Sequence, residues 1–155
     1  MQEHALFHPS ILNRLIDLDP LNNEPSAHHS ASFREVEEMV LSDLEQLLNS
    51  RKPLHDIPDN CEQTKRSLLT YGLRDSSADN PASPMVRQQL CREVSKTIAL
   101  FEPRLQNVQV RVDSDSHFRG LQFKISAILD VAPFKETVYF DTFLDPGKGR
   151  FLIES

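Results

Sequence analysis

Between Phe101 and Leu105 the chain changes its hydrophobic period, and that change limits the fold more than any other feature of the sequence. Upstream, Val86, Leu90, Val94, Ile98 and Phe101 recur at the i+4, i+4, i+4, i+3 spacing of one helical face. Downstream, Val108, Val110 and Val112 alternate with Gln109, Arg111 and Asp113, the period of two of a half-buried strand. Pro103 disfavours helical geometry at Glu102, so the helix is expected to end there. Phe101-Glu102-Pro103-Arg104-Leu105 is therefore a seam between a helical half and a strand-rich half. An acid at a helix C-terminus faces the negative end of the helix dipole, at a cost of roughly 0.3–1 kcal/mol. A local rule broken in this way marks a position held for another purpose. Glu102 and Arg104 are read as making charge-assisted hydrogen bonds, either across the seam or with another protein.

The helical half has its own punctuation. Ser32-Phe33-Arg34-Glu35 is a capping box that predicts a helix from Phe33 to Asn49. Phe33, Val36, Val40, Leu44, Leu47 and Leu48 mark its apolar face, and Glu35, Glu37, Glu38, Asp43 and Glu45 are assigned to solvent. Asn49-Ser50-Arg51-Lys52-Pro53 stops it. A short helix from Cys61 to Leu69 is expected next, then Gly72 in a left-handed conformation with Leu73 folding back on the helix end. Tyr71, beside that turn, is either core or contact. Ser83 and Pro84 supply the N-cap and first position of the central helix, and Cys91 packs beside its apolar stripe.

After the first strand come an alternating run from Leu121 to Val131, broken by Pro133, then a third strand from Glu136 to Leu144. A turn at Asp145-Pro146-Gly147 leads to a short last strand, Phe151 to Ile153. Successive strands with short connections pair antiparallel. The predicted class is α+β: N-terminal helices packed on a small three- to four-stranded antiparallel sheet, residues 32–155 forming that domain. Such a sheet has two open edges, and the last strand is expected to pair, peel away or accept a strand from another chain.

Residues 1–31 are read as a docking peptide and a flexible linker. Ser10 caps a short helix whose stripe is Ile11, Leu12 and Leu15, too short to stand alone in water. It docks on its own domain or on a partner, and the polar stretch from Asp19 to Ser30 tethers it.

Composition narrows the function classes. The chain has 155 residues, enough for one core, and a net charge of -6, which argues against nucleic acid and anionic membrane surfaces as partners. No window approaches the roughly 20 apolar residues of a membrane span, and the N-terminus lacks the pattern of a signal peptide. Cys61 and Cys91 are read as reduced thiols of a cytoplasmic protein. The six histidines are scattered without ligand spacing, so no metal site is assigned. With 4 Gly and no nucleotide or hydrolase motif, no cofactor is assigned either. Glu102 is the most tempting acid for catalysis. An arginine two residues away favours the charged carboxylate, the wrong form for a general acid, and no catalytic residue is assigned.

Four motifs in order carry a resemblance: Pro9-Ser10-Ile11-Leu12-Asn13-Arg14-Leu15, Leu47-Leu48-Asn49-Ser50-Arg51, Ser67-Leu68-Leu69-Thr70-Tyr71-Gly72-Leu73, and Glu102-Pro103-Arg104. Together, over roughly residues 11 to 154, the chain resembles the lysozyme-like phage baseplate wedge proteins. It is more similar still to their type VI secretion relatives, the TssE proteins. The resemblance implies a non-enzymatic baseplate component of a contractile injection machine on the cytoplasmic side of the inner membrane. It also implies wedges shared with TssF and TssG, and help in starting sheath polymerisation through a sheet like the strand-exchange domain of sheath subunits. Glu102, Pro103, Arg104 and Tyr71 would then be partner-binding residues, and the N-terminal peptide with Ile11, Leu12 and Leu15 would be the part that docks on a wedge partner. Two other readings stand next to this one. They are a lysozyme-like cell-wall glycosidase, and a wedge protein of a tailed phage or phage-derived particle.

Overall fold

Ser32 opens the first long helix through a reciprocal cap. Its hydroxyl accepts from the Glu35 N–H at 3.4 Å, and the Glu35 carboxylate accepts from the Ser32 N–H at 2.6 Å. The computed structural model describes residues 5–6, 30–53, 57–58, 60–75, 80, 82–113, 120–145 and 148–154. A two-stranded ribbon pairs β1 (Ala5–Leu6) antiparallel with β2 (Ser30–Ala31). The expected helix at Ile11, Leu12 and Leu15 lies outside the described residues.

Helix α1 (Phe33–Asn49) has the predicted bounds and buries Val36, Val40, Leu44, Leu47 and Leu48. Phe33 meets Phe134 edge-on, with ring centroids 5.6 Å apart. The predicted helix from Cys61 to Leu69 is instead two pieces, α2 (Glu62–Lys65) and a 3₁₀ turn (Leu68–Thr70), neither with a buried residue. Ser67 causes the break: its hydroxyl donates to the Thr64 carbonyl at 2.7 Å and accepts from the Leu69 N–H at 3.3 Å, so the chain restarts there. With no apolar face to hold it down, a longer helix has no tertiary support.

Leu73 folds back, but onto α1. Its N–H donates to the Ser50 carbonyl at 3.0 Å and its carbonyl accepts from the Lys52 N–H at 3.0 Å. Gly72 makes the approach feasible, since its φ is +101° and a Cβ there would lie 2.4 Å from the Ser50 carbonyl oxygen. Helix α3 (Pro84–Phe101) follows, begins with Pro84 after Ser83, and buries Leu90, Val94, Thr97 and Ile98. It ends at Glu102, whose N–H donates to the Ile98 carbonyl at 2.8 Å.

The second half is an antiparallel meander in the order β3 (Leu105–Asp113), β4 (Leu121–Val131), β5 (Phe134–Asp145) and β6 (Arg150–Glu154). The class is α+β, as expected. Between Gln106 and Gln109 the β3–β4 register shifts, and Asn107 takes φ +54° at the bulge. One face of the sheet carries Phe123, Ile125, Leu129, Val138, Phe140, Phe151 and Ile153 into a core shared with α1 and α3. Each such side chain contributes about 1.5–3 kcal/mol of burial. Thr142 lies among them, and its hydroxyl has no hydrogen-bond partner among the described residues. No helix of the described residues is long and apolar enough to cross a membrane.

Candidate functional site

The seam closes through Arg104. Its Nε donates to Glu102 Oε1 at 2.6 Å and its Nη2 to Glu102 Oε2 at 2.5 Å, a two-pronged pair across Pro103. The same Nη2 reaches Asp43 Oδ2 on α1 at 2.5 Å. Backbone bonds complete the joint: the Arg104 carbonyl accepts from the Asp130 N–H at 2.8 Å, and the Glu102 carbonyl accepts from the Leu105 N–H at 3.1 Å. Arg104 thus ties the end of α3 to the middle of α1 through its guanidinium and reaches β4 through its backbone carbonyl.

The cluster is largely dry, with the Glu102 side chain 6% exposed and that of Arg104 20% exposed. Burial alone disfavours the guanidinium charge, but the bonds and charges of Glu102, then Asp43, outweigh it and raise the Arg104 pKa. Beside it, Tyr71 packs edge-on against Phe101 with centroids 5.2 Å apart. Burial first, then the charges of Asp43 and Glu102, raise the Tyr71 pKa. Tyr71 is therefore half core and half rim, and Pro103 is exposed. The 3₁₀ turn leading to Tyr71 exposes two large apolar side chains, Leu68 at 84% and Leu69 at 62%.

This arrangement fixes α1, α3 and the start of the sheet relative to one another. Both Glu102 oxygens face the guanidinium, and the residue is buried. No group of three or more His, Cys, Asp or Glu suited to a metal occurs among the described residues.

Three of these residues lay outside the expected site. Asp43 was assigned to solvent, yet it stands three residues after Val40 and four before Leu47, on the buried stripe. A charge in register with a core face was the available signal. Asn49 and Arg51 do the work of their motif at the far edge of the sheet. The Asn49 carboxamide donates to the Phe151 carbonyl and accepts from the Phe151 N–H, both at 2.9 Å. Arg51 donates to the carbonyls of Leu48 and Gly149. The last strand, expected to be open, is thus occupied at Phe151, near its start.

A family model described as "Baseplate wedge protein gp25" matches residues 34–133, well over half of the chain. The chain belongs to the gp25 family of baseplate wedge proteins. The matched stretch contains Asp43, Tyr71, Glu102, Pro103 and Arg104, so the whole seam lies within the family region. A chain of a solved structure described as "The baseplate complex from the type VI secretion system" has a similar fold. It aligns with a TM-score of 0.50 and 17% identity, over 72% of this chain and 96% of its own length. No curated protein matches.

Proposed function

We propose that this protein is a non-enzymatic structural component of a type VI secretion baseplate, bound to the wedge proteins TssF and TssG on the cytoplasmic side of the inner membrane. There it helps to start sheath polymerisation, with sheath subunits joining by strand addition. The observation that carries this reading is the gp25 family match across the helices, the seam and the first two strands of the meander.

In this reading Pro103 and Tyr71 touch a wedge partner, and the neighbouring exposed Leu68 and Leu69 extend the surface. Glu102 and Arg104 hold that surface in shape from beneath. The segment with Ile11, Leu12 and Leu15 docks separately on a wedge protein, as a short amphipathic peptide does when it finds a groove.

The test is sheath assembly in cells followed with a fluorescent sheath subunit. Loss of the protein, or Glu102→Ala with Arg104→Ala, is expected to abolish extended sheaths. Because that pair also supports the fold, Leu68→Asp with Leu69→Asp serves as the second variant. It is expected to keep the melting temperature and lose co-purification with the wedge proteins. Normal sheaths in both variants would overturn the reading. Clearing of peptidoglycan by the purified protein, abolished by Glu102→Gln, would overturn its non-enzymatic part.

A further inference from the structure

Helices α1 and α3 cover opposite borders of the sheet, α1 against β6 and α3 against β3. The two borders carry opposite charge. Between α3 and β3 runs a groove of about 500 Å³ whose half-buried floor is Cys91, Ser95 and Val110. The Ser95 hydroxyl donates to the Val108 carbonyl at 3.1 Å and holds the two walls together. Gln88, Arg92 and Lys96 follow one another at i+4 along the α3 wall, and Arg111 stands on the β3 wall. No lining residue is acidic, and Asp113, the one acid of β3, is held by Lys124 at 3.0 Å. Among the described residues no ion pair uses Arg92, Lys96 or Arg111, and all three are exposed.

The α1 border is the reverse. The helix carries five acids and one base, Arg34, which is taken by Glu38 at 3.2 Å. Asp43 is committed to Arg104, and Glu35 to the Ser32 cap. That leaves Glu37 and Glu45, which no ion pair among the described residues uses. With Leu41 between them they form a row at i+4. Each step of such a row rises about 6 Å, the same step as in the row from Gln88 to Lys96. Glu45 stands one turn before Asn49, whose carboxamide is bonded to Phe151 of β6, so this row follows the β6 border.

We infer that the groove between α3 and β3 receives the Glu37–Leu41–Glu45 flank of α1 from a second copy of this chain. Arg92, Lys96 and Arg111 meet the carboxylates, and Leu41 meets the less polar floor. A second copy is the occupant because the matching row lies on the same chain, at the same spacing and the opposite charge. Groove against groove would oppose like charges, so the contact is head-to-tail, and each copy gives with one border and receives with the other. Charges at a wet rim make this a weak association that salt reverses, not an obligate dimer. It uses neither the seam nor the Leu68–Leu69 surface, and so stands apart from the proposed function.

Sedimentation velocity of the full chain over a wide concentration range is the test. The weight-average sedimentation coefficient is expected to rise with concentration at low salt. Near roughly 1 M salt, where the Debye length is about 3 Å, that rise is expected to vanish. Reversing the groove (Arg92→Glu, Lys96→Glu, Arg111→Glu) or the row (Glu37→Lys, Glu45→Lys) is expected to weaken association roughly tenfold or more, at an unchanged melting temperature. The two variants mixed are expected to associate again, because the reversed row of one meets the reversed groove of the other. Should a reversal lower the melting temperature, Lys96→Gln and Glu45→Gln take its place, each expected to weaken association in part. A chain that stays monomeric at low salt would overturn the inference, even if the groove then captured a wedge protein. So would association indifferent to either reversal, or a mixture no more associated than its parts.

Discussion

Helix α3 is tied down at two places by ionic clusters of opposite make-up. At its end one base, Arg104, is held by two acids, Glu102 and Asp43. On its flank one acid, Glu93, is held by two bases: Lys52 Nζ at 2.9 Å and Arg74 Nε at 3.0 Å. The first joins three regular elements at the seam, whereas the second gathers the chain that leaves α1 and the stretch just after Gly72. Both central groups are shifted in the direction that keeps them charged. Burial pushes the Glu93 carboxyl up, but hydrogen bonds and charges from Lys52 and Arg74 outweigh it and lower its pKa. The difference lies in what is stranded when the centre is lost. Without Arg104 two carboxylates face each other in a largely dry joint, whereas without Glu93 two bases that are already partly exposed can turn to water.

Removing the centre of each cluster tests that asymmetry. Arg104→Met is expected to have the largest effect, about 3–5 kcal/mol lost in denaturant unfolding, because the buried Glu102 and the partly buried Asp43 lose their shared partner. Adding Asp43→Asn and Glu102→Gln to it is expected to restore part of the loss. A triple variant no more stable than Arg104→Met would break the comparison at the seam.

Gly72→Ala comes next. It is expected to cost about 1–3 kcal/mol from backbone strain, with further loss because the new Cβ meets the Ser50 carbonyl 2.4 Å away. It also displaces Arg74 from Glu93, so part of its cost is expected to vanish when Glu93 is already glutamine. Full additivity in that double-mutant cycle would separate the glycine from the flank cluster.

Glu93→Gln alone is expected to cost roughly 1–2 kcal/mol at neutral pH, less than any change at Arg104. Its pH dependence has a definite sign. A carboxylate whose pKa is lowered by folding stabilises the native state above its unfolded value, about 4.3, and the contribution is lost as pH falls through the folded value. The gap between native and variant unfolding curves is therefore expected to close on acidification. A gap that widened in acid would contradict the lowered pKa. Thr142→Val, far from either cluster in chemistry, is expected to be the smallest change, neutral or stabilising by up to about 1 kcal/mol, because no hydrogen bond is lost.

Much of this was legible in the sequence because short-range rules dominate it. The cap at Ser32, the bounds of α1, the stop at Glu102, the Glu102–Arg104 pairing and the four-stranded meander each follow from neighbours a few residues apart. Asp43 was not legible in the same way. Its partner lies 61 residues away, and a helical acid is usually solvated, so only its place on the buried stripe set it apart. The short helix near Cys61 failed because Ser67 competes for the backbone where no core face resists it. The Asn49 bracket spans 102 residues and uses a side chain as a piece of strand, which no local pattern announces.

That bracket has a counterpart at the opposite edge of the sheet, where the Ser95 hydroxyl of α3 donates to the Val108 carbonyl. At both outer strands a side chain carried by a helix takes up backbone groups that the sheet itself leaves unpaired: both groups of Phe151 on β6 and the carbonyl of Val108 on β3. The two long helices therefore hem the meander at its borders as well as covering its face.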